Sequence, residues 1–225
     1  MTDACQYLHE SLSRLPRLKR EGLSQVPKNG IYVLFENGEQ GHGGERIVRV
    51  GTHRGQNNLP GRIREHLYKT NKDRSIFRKH VGRCLLAKAD DPFLTQWEID
   101  LTSKESRIAH EHKVDKVRLQ QVESDVTRYM VENFSFAVLR FDTEEDRRHY
   151  EECLLSTIFQ CPDCGPSGTW LGRHHPKSEI LKSCGLWNVQ SLAGKVLSRD
   201  EAEHIVQAGL SGWRAARLGS VAEAP

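Results

Sequence analysis

The sequence predicts an α+β domain: a small three-stranded antiparallel sheet flanked by helices, with a helical insertion and a helical C-terminal extension. Three observations predict it. Residues 31–35 (IYVLF) and 46–50 (RIVRV) are short β-rich runs separated by a glycine-bearing turn, "ENGEQGHGGE". Residues 134–141 (FSFAVLRF) alternate as a half-buried strand does. Most of the remaining chain places apolar residues at helical spacing, so strands are few and helices surround them.

Taken in order, residues 3–15 carry apolar positions at 5, 8, 12 and 15, a helix that Pro16 ends. "KNG" (28–30) is a turn signal, and the first two strands follow it around a loose connection. "NNLPGR" opens the next helix, with Asn58 as cap and Pro60 in its first turn. Asp73 is positioned to cap a helix over 75–88. Residues 104–132 read as one long helix or two shorter ones, with Ile108, Asp115, Leu119, Val122, Val126 and Met130 near one face. After the third strand, Thr143 caps a helix whose first turn is acidic, matching the helix dipole. Past Pro166 the pattern is irregular until a final amphipathic helix at 199–217. The implied organisation is an N-terminal helix (1–27), a main domain (28–169) with the helical insertion at about 88–132, and a helical extension (170–225).

Composition narrows the class. The chain of 225 residues is 37% hydrophobic and 28% charged, ordinary for a globular protein able to bury a core. No apolar run reaches spanning length, and the polar start "MTDACQYLHESL" lacks a signal-peptide core, so a cytoplasmic protein without a membrane partner is expected. Six cysteines in such a chain are expected to be reduced thiols. The net charge is only +3, but residues 46–83 hold eleven lysines and arginines against Glu65 and Asp73. Most of the eleven are arginine, the residue suited to paired contacts with phosphate, and the local excess is the footprint expected for a polyanion. A solvated helix face is the bland alternative.

Three pieces of sequence carry chemistry. Gly30-Ile31-Tyr32 opens the first strand. Arg49-Val50-Gly51 ends the second, where alternation puts Arg49 and Gly51 on one face. Arg62 and His66 stand four apart on the following helix, on one side of it. Far downstream, Glu151 lies in the helix after the third strand, with Glu152 beside it. Phosphodiester hydrolysis needs a group for the attacking water, positive charge on the phosphate, a cation and a ligand to hold it. Tyrosine, arginine, histidine and glutamate can fill those roles.

This ordered set resembles the GIY-YIG nuclease family. "GIY" matches at 30–32, "RVG" (49–51) stands where the family has its second motif with arginine in place of tyrosine, "GRIREHL" supplies the helical Arg62 and His66, and "HYEECLLSTI" supplies Glu151. The resemblance spans 28 to about 165. It implies a divalent-metal-dependent endonuclease acting on DNA, double-stranded by expectation, with a non-catalytic DNA-binding module as the alternative. By that resemblance Tyr32 orients or deprotonates water, Arg49 adds charge at the scissile phosphate, Arg62 binds it, His66 relays a proton or contacts phosphate, and Glu151 holds Mg²⁺ or Mn²⁺. Further DNA contacts are expected from Arg54, Arg64, Lys69, Arg74, Arg78 and Lys79. The asparagine that often follows the glutamate helix is missing from "CPDCGPSGTW", leaving Ser167 or Thr169 as stand-ins.

Two features stay open. Cys161 and Cys164, with His174 or His175 and Cys184, have the make-up of a Cys₃His zinc site, or are small loop cysteines. The insertion at 88–132 is placed either for specificity or for forming a homodimer. Trp170 and Trp187 are expected in the core.

Overall fold

The computed structural model describes residues 2–221, with side chains to 211. In chain order the elements are α1 (Thr2–Ser13), β1 (Ile31–Gly41), β2 (Gly44–Gly51), α2 (Leu59–Leu67), α3 (Ile76–Lys88), α4 (Leu94–Trp97), α5 (Lys104–His110), α6 (Lys116–Asn133), β3 (Phe134–Leu139), α7 (Glu144–Phe159), α8 (Glu179–Cys184) and α9 (Arg199–Val221). The three strands form one antiparallel sheet in the order β2-β1-β3, so the expected α+β architecture is present. Among the described residues no helix is long and apolar enough to cross a membrane.

The sheet is buried on both faces. Tyr32, Leu34, Val48, Phe136 and Val138 pack with α2, α3 and α6 and with Trp97, Trp170 and Trp187. Ile31, Val33, Phe35, Ile47, Val50 and Leu139 pack on the other side with residues of α1, α7 and α9. That double cover corrects the half-buried reading of 134–141: only Ser135 of β3 is less than buried, because α9 closes the face that alternation left for solvent. Trp170 and Trp187 are core, as expected.

Several local expectations change. The connection between β1 and β2 is a two-residue turn, since both strands extend to the pair Gly41–Gly44 and His42 and Gly43 both have positive φ, the conformation that suits a tight hairpin. Ser75, and not Asp73, caps α3: its Oγ accepts from the Arg78 N–H at 3.3 Å. Residues 104–133 divide into α5 and α6, and Asp115 is the α6 cap, accepting from Val117 and Arg118 N–H. Ile108 points to solvent.

Three buried polar devices fix the sheet's surroundings. Glu36 on β1 accepts from Trp170 Nε1 and Trp187 Nε1, each at 2.9 Å, and from the Tyr129 hydroxyl. Burial raises its pKa while these donors oppose the rise. Trp187 N–H donates to the Val48 carbonyl at 2.8 Å, and the Asn188 amide pairs with both N–H and C=O of Val50. Leu18 exchanges two backbone bonds with Phe136 on the far strand.

Candidate active site

Glycine at two positions sets the geometry of the first two strands. Gly30 has φ of +156°, and a Cβ there would lie 2.2 Å from the Leu139 carbonyl oxygen, so β1 enters the sheet hard against β3. Gly51 pairs with Tyr32, and a Cβ at Gly51 would meet the Tyr32 hydroxyl at 2.3 Å. The phenol therefore lies flat over the end of β2 in space that only glycine leaves. Two register steps away, Leu34 pairs with Arg49 and Phe35 with Ile47, so Val48 is an extra residue, a bulge that puts both Val48 and Arg49 on the Tyr32 side.

Arg49 is thus aimed inward. Its Nε donates to the Tyr32 hydroxyl at 3.2 Å, its Nη1 donates to the Trp187 carbonyl at 3.0 Å, and its guanidinium lies over the Phe77 ring. His66 stands beside this pair, its ring 6.0 Å from that of Tyr32. His66 Nδ1 bonds the Ser75 hydroxyl at 2.6 Å, and its Nε2 is buried without a partner. Burial first, then the charges of Arg49, Arg62 and Arg78, push the His66 pKa well below the imidazole range, so the ring is neutral at pH 7.

The residue after Gly51 connects this buried cluster to a cleft. Thr52 N–H donates to Glu151 Oε1 at 3.2 Å, and the Thr52 hydroxyl donates to the Gly30 carbonyl. Glu151 and Arg62 both line a polar cleft of about 1050 Å³ between α2, α7, the loop after β2 and residues 190–191. Burial raises the Glu151 pKa, opposed by Arg49, the Thr52 N–H, Arg62 and Arg148. Arg62 is part-exposed and pairs with Glu65 at 3.3 Å. The loop after β2 is held to α7: Arg147 Nη2 donates to the Gly55 carbonyl at 2.6 Å and Gly55 N–H donates to Glu144 at 2.9 Å.

The predicted site residues therefore fall into two layers. Arg62 and Glu151 face the cleft, while Tyr32, Arg49 and His66 lie behind it, Tyr32 only 1% exposed. Glu152 also lines the cleft but is fully on its surface. Of the expected DNA contacts, Arg54, Arg64, Lys69 and Arg74 are exposed, and Lys79 is half-buried with its Nζ on the Glu98 carbonyl. Arg78 is a correction. It is fully buried in an ion pair with Glu123 at 2.8 Å and donates to the Thr127 hydroxyl, so it supports the packing of α3 on α6 and faces no ligand. Arg46, Arg49 and Lys72 are likewise buried, which thins the basic stripe that the sequence displays.

Ser167 and Thr169 are no stand-ins for an asparagine at the site, since Ser167 is bound to Glu39 at the other end of the sheet. Asn188 is the amide beside the site, clasping Val50 between Arg49 and Gly51. Nothing local in the sequence marks it, as its partner lies 138 positions away. His53, Arg148 and His149 also line the cleft and were not singled out by sequence reasoning. His53 follows Gly51 by two residues and His149 precedes Glu151 by two, so their proximity to the motifs was the available signal. His53 Nε2 is buried without a partner, and burial together with Arg147 lowers its pKa.

The cleft suits a hydrated divalent cation. One carboxylate, anchored through Oε1 and with no hydrogen bond to Oε2 among the described residues, opens onto polar space, and Mg²⁺ characteristically binds through one or two carboxylates while keeping waters. Among the described residues the cleft holds no cluster of three or more ligands that would cage an ion. Compared with known proteins, a family model described as the GIY-YIG domain matches residues 3–203. No curated protein and no solved structure matches the chain.

Proposed function

Because the chain belongs to the GIY-YIG domain family, we propose that it is a divalent-metal-dependent endonuclease that hydrolyses phosphodiester bonds of double-stranded DNA. The observation that carries this reading is one run of contacts, Tyr32 over Gly51 and Thr52 bonded to Glu151, which joins the phenol to the carboxylate across a single strand end. Glu151 would hold the Mg²⁺ or Mn²⁺, whose charge would stabilise the phosphate as the P–O bond breaks.

The chain's own groups divide the remaining work. Arg62, on release from Glu65, binds two oxygens of the scissile phosphate with its planar fork. Arg49 fixes the direction of the Tyr32 hydroxyl, which orients the water that adds to phosphorus. His66, neutral and buried with Nδ1 on Ser75, stands with its ring 6.0 Å from that of Tyr32 and positions the phenol from behind the cleft. Arg54, Arg64, Lys69 and Arg74 bind the flanking backbone.

A second reading has its own support. Tyr32 is almost completely covered and its hydroxyl is taken by Arg49, which favours a DNA-binding module that keeps the fold without the reaction. Cleavage of supercoiled plasmid in Mg²⁺ or Mn²⁺ separates the two. The nuclease reading expects nicking by the wild type that Glu151→Gln abolishes while duplex binding persists. Duplex binding by a wild type that never nicks, with either metal, replaces it by the binding module.

A further inference from the structure

At the far end of the β1–β2 hairpin from the cleft, four soft donors meet. Cys5 and His9, one turn apart on α1, His42 at the hairpin tip, and Cys164 in the loop after α7 bring one ligand atom each to within 4.8 Å of all the others. From these residues we propose that the protein binds one structural Zn²⁺ through Cys5, His9, His42 and Cys164. This site is independent of the nuclease reading.

The donor set is the first argument. Two thiolates and two imidazoles in tetrahedral array are the composition that zinc takes in closed structural sites. Bonds of about 2.0–2.3 Å at tetrahedral angles put the donors roughly 3.3–3.8 Å apart. Cys164 Sγ already lies 3.4 Å from His9 Nε2, and the four donors are all within 4.8 Å of one another. Cys5, His9 and Cys164 are buried, and all six cysteines of the chain are free thiols.

Orientation is the second argument. His9 Nδ1 is 2.9 Å from the Cys5 carbonyl, an oxygen that only accepts, so Nδ1 carries the proton and the Nε2 lone pair faces Cys164. A backbone carbonyl on the far nitrogen is the usual support of a metal-binding histidine. His42 occupies a turn position with φ of +51°, where glycine or asparagine is the ordinary choice. That residue brings an imidazole to the cluster at a place where the turn alone asks for none. A satisfied thiol–imidazole packing would need neither device.

The geometry replaces the ligand set that the CxxC spacing suggested. His175 is committed to His80 at 2.9 Å, His174 is exposed, and Cys184 is bound to the Leu186 backbone. Cys161 touches His42 Nε2 at 3.4 Å but is outside the group of four. Zinc here would fasten α1, the hairpin tip and the end of α7, segments far apart in the chain, into one joint.

Metal analysis of protein purified without added metal tests the proposal, with the full chain throughout. The expectation is about one zinc per chain, reduced at least fivefold in Cys164→Ser and in His9→Ala and unchanged in Cys161→Ser and Glu151→Gln. Because a ligand variant can misfold, the wild type is also stripped with a chelator and refilled with Co²⁺. The intense visible bands of tetrahedral cobalt with sulfur-to-metal charge transfer are expected, along with a thermal midpoint that falls on stripping and returns on refilling. Wild-type protein that carries no zinc and gives no tetrahedral cobalt spectrum overturns the site. Zinc retained in His9→Ala but lost in Cys161→Ser overturns this ligand set.

Discussion

The Nε of Arg49 donates to the hydroxyl of Tyr32 at 3.2 Å, so the residue that departs from the family's second motif is bonded to the residue that matches its first. Arg49 occupies the strand position where a tyrosine is expected, and the Val48 bulge turns it onto the phenol. Its other end is fixed by the Trp187 carbonyl. The substitution is therefore built into the site and has a defined partner.

Tyr32→Phe removes one hydroxyl and leaves the ring over Gly51. Metal-dependent nicking is expected to fall by about 10²–10⁴-fold, the range for loss of a positioned proton-transfer group. Stability should drop by only about 1.5–3 kcal/mol, the cost of one bond to a charged donor. Single-turnover nicking and thermal unfolding of the same preparation read both quantities. Undiminished nicking would remove Tyr32 from the reaction.

Gly51→Ala tests the same contact from the strand side. The new methyl would lie 2.3 Å from the Tyr32 hydroxyl, with the ring carbons also inside 3 Å. Overpacking of this kind costs about 1–3 kcal/mol and would push the phenol off its bond to Arg49. Nicking should fall at least as far as in Tyr32→Phe. Gly165→Ala, where no atom lies within 4 Å of the added methyl, serves as the silent control.

The basic segment divides into surface and interior. Replacing Arg64, Lys69 and Arg74 by glutamine should weaken duplex binding and lower the salt slope of log K by about 0.9 for each phosphate left without its cation. Anisotropy titrations across a range of salt concentrations give that slope. Arg78→Met should do the opposite, leaving the slope alone and lowering stability by about 3–5 kcal/mol, because Glu123 is left buried without its partner.

Acid should unfold the protein early. His66, His80 and His175 all have lowered pKa values, His80 at about 3 and His175 at about 4, chiefly through burial. The unfolded chain takes up protons near the ordinary value of 6.5 while the folded chain does not, so stability is full above pH 6.5 and is lost as pH falls from 6.5 toward 4. His80 and His175 add to this because they share one hydrogen bond at 2.9 Å beside Arg83, where two protonated rings would face a third cation. The thermal midpoint measured from pH 7.5 to 4.5 should fall steadily, and His80→Gln should flatten that fall.

Much of the fold was legible because local signals agreed with one another. The glycine-bracketed runs at 31–35 and 46–50, the Thr143 cap with its acidic first turn, and the periodicity of α1 each point to the element that forms. The double cover of β3 was not legible, since alternation within a strand cannot announce the later helix that packs on its polar side. The site divides the same way. Gly30, Tyr32, Gly51, Arg62 and Glu151 stand in short motifs whose chemistry can be read in place. Asn188 and the fate of Arg78 depend on partners 138 and 45 positions distant, where no spacing rule operates. The Cys161–Cys164 pair was visible as a pattern, yet its companions Cys5, His9 and His42 come together only through the hairpin and α1.

Residues 187–188 run along the outer side of β2, and Leu18 does the same for β3. Both borders of this three-stranded sheet are therefore partly occupied, at Val48 and Val50 on one side and at Phe136 on the other. A fragment cut at the end of the recognisable motifs, before Trp187, would bare the carbonyl of Val48 and the amide and carbonyl of Val50 along that edge, a template on which proteins self-associate. The stretch from Trp187 onward is in this sense a solubility device, and a shortened form would be expected to be lost to aggregates before its chemistry could be assayed.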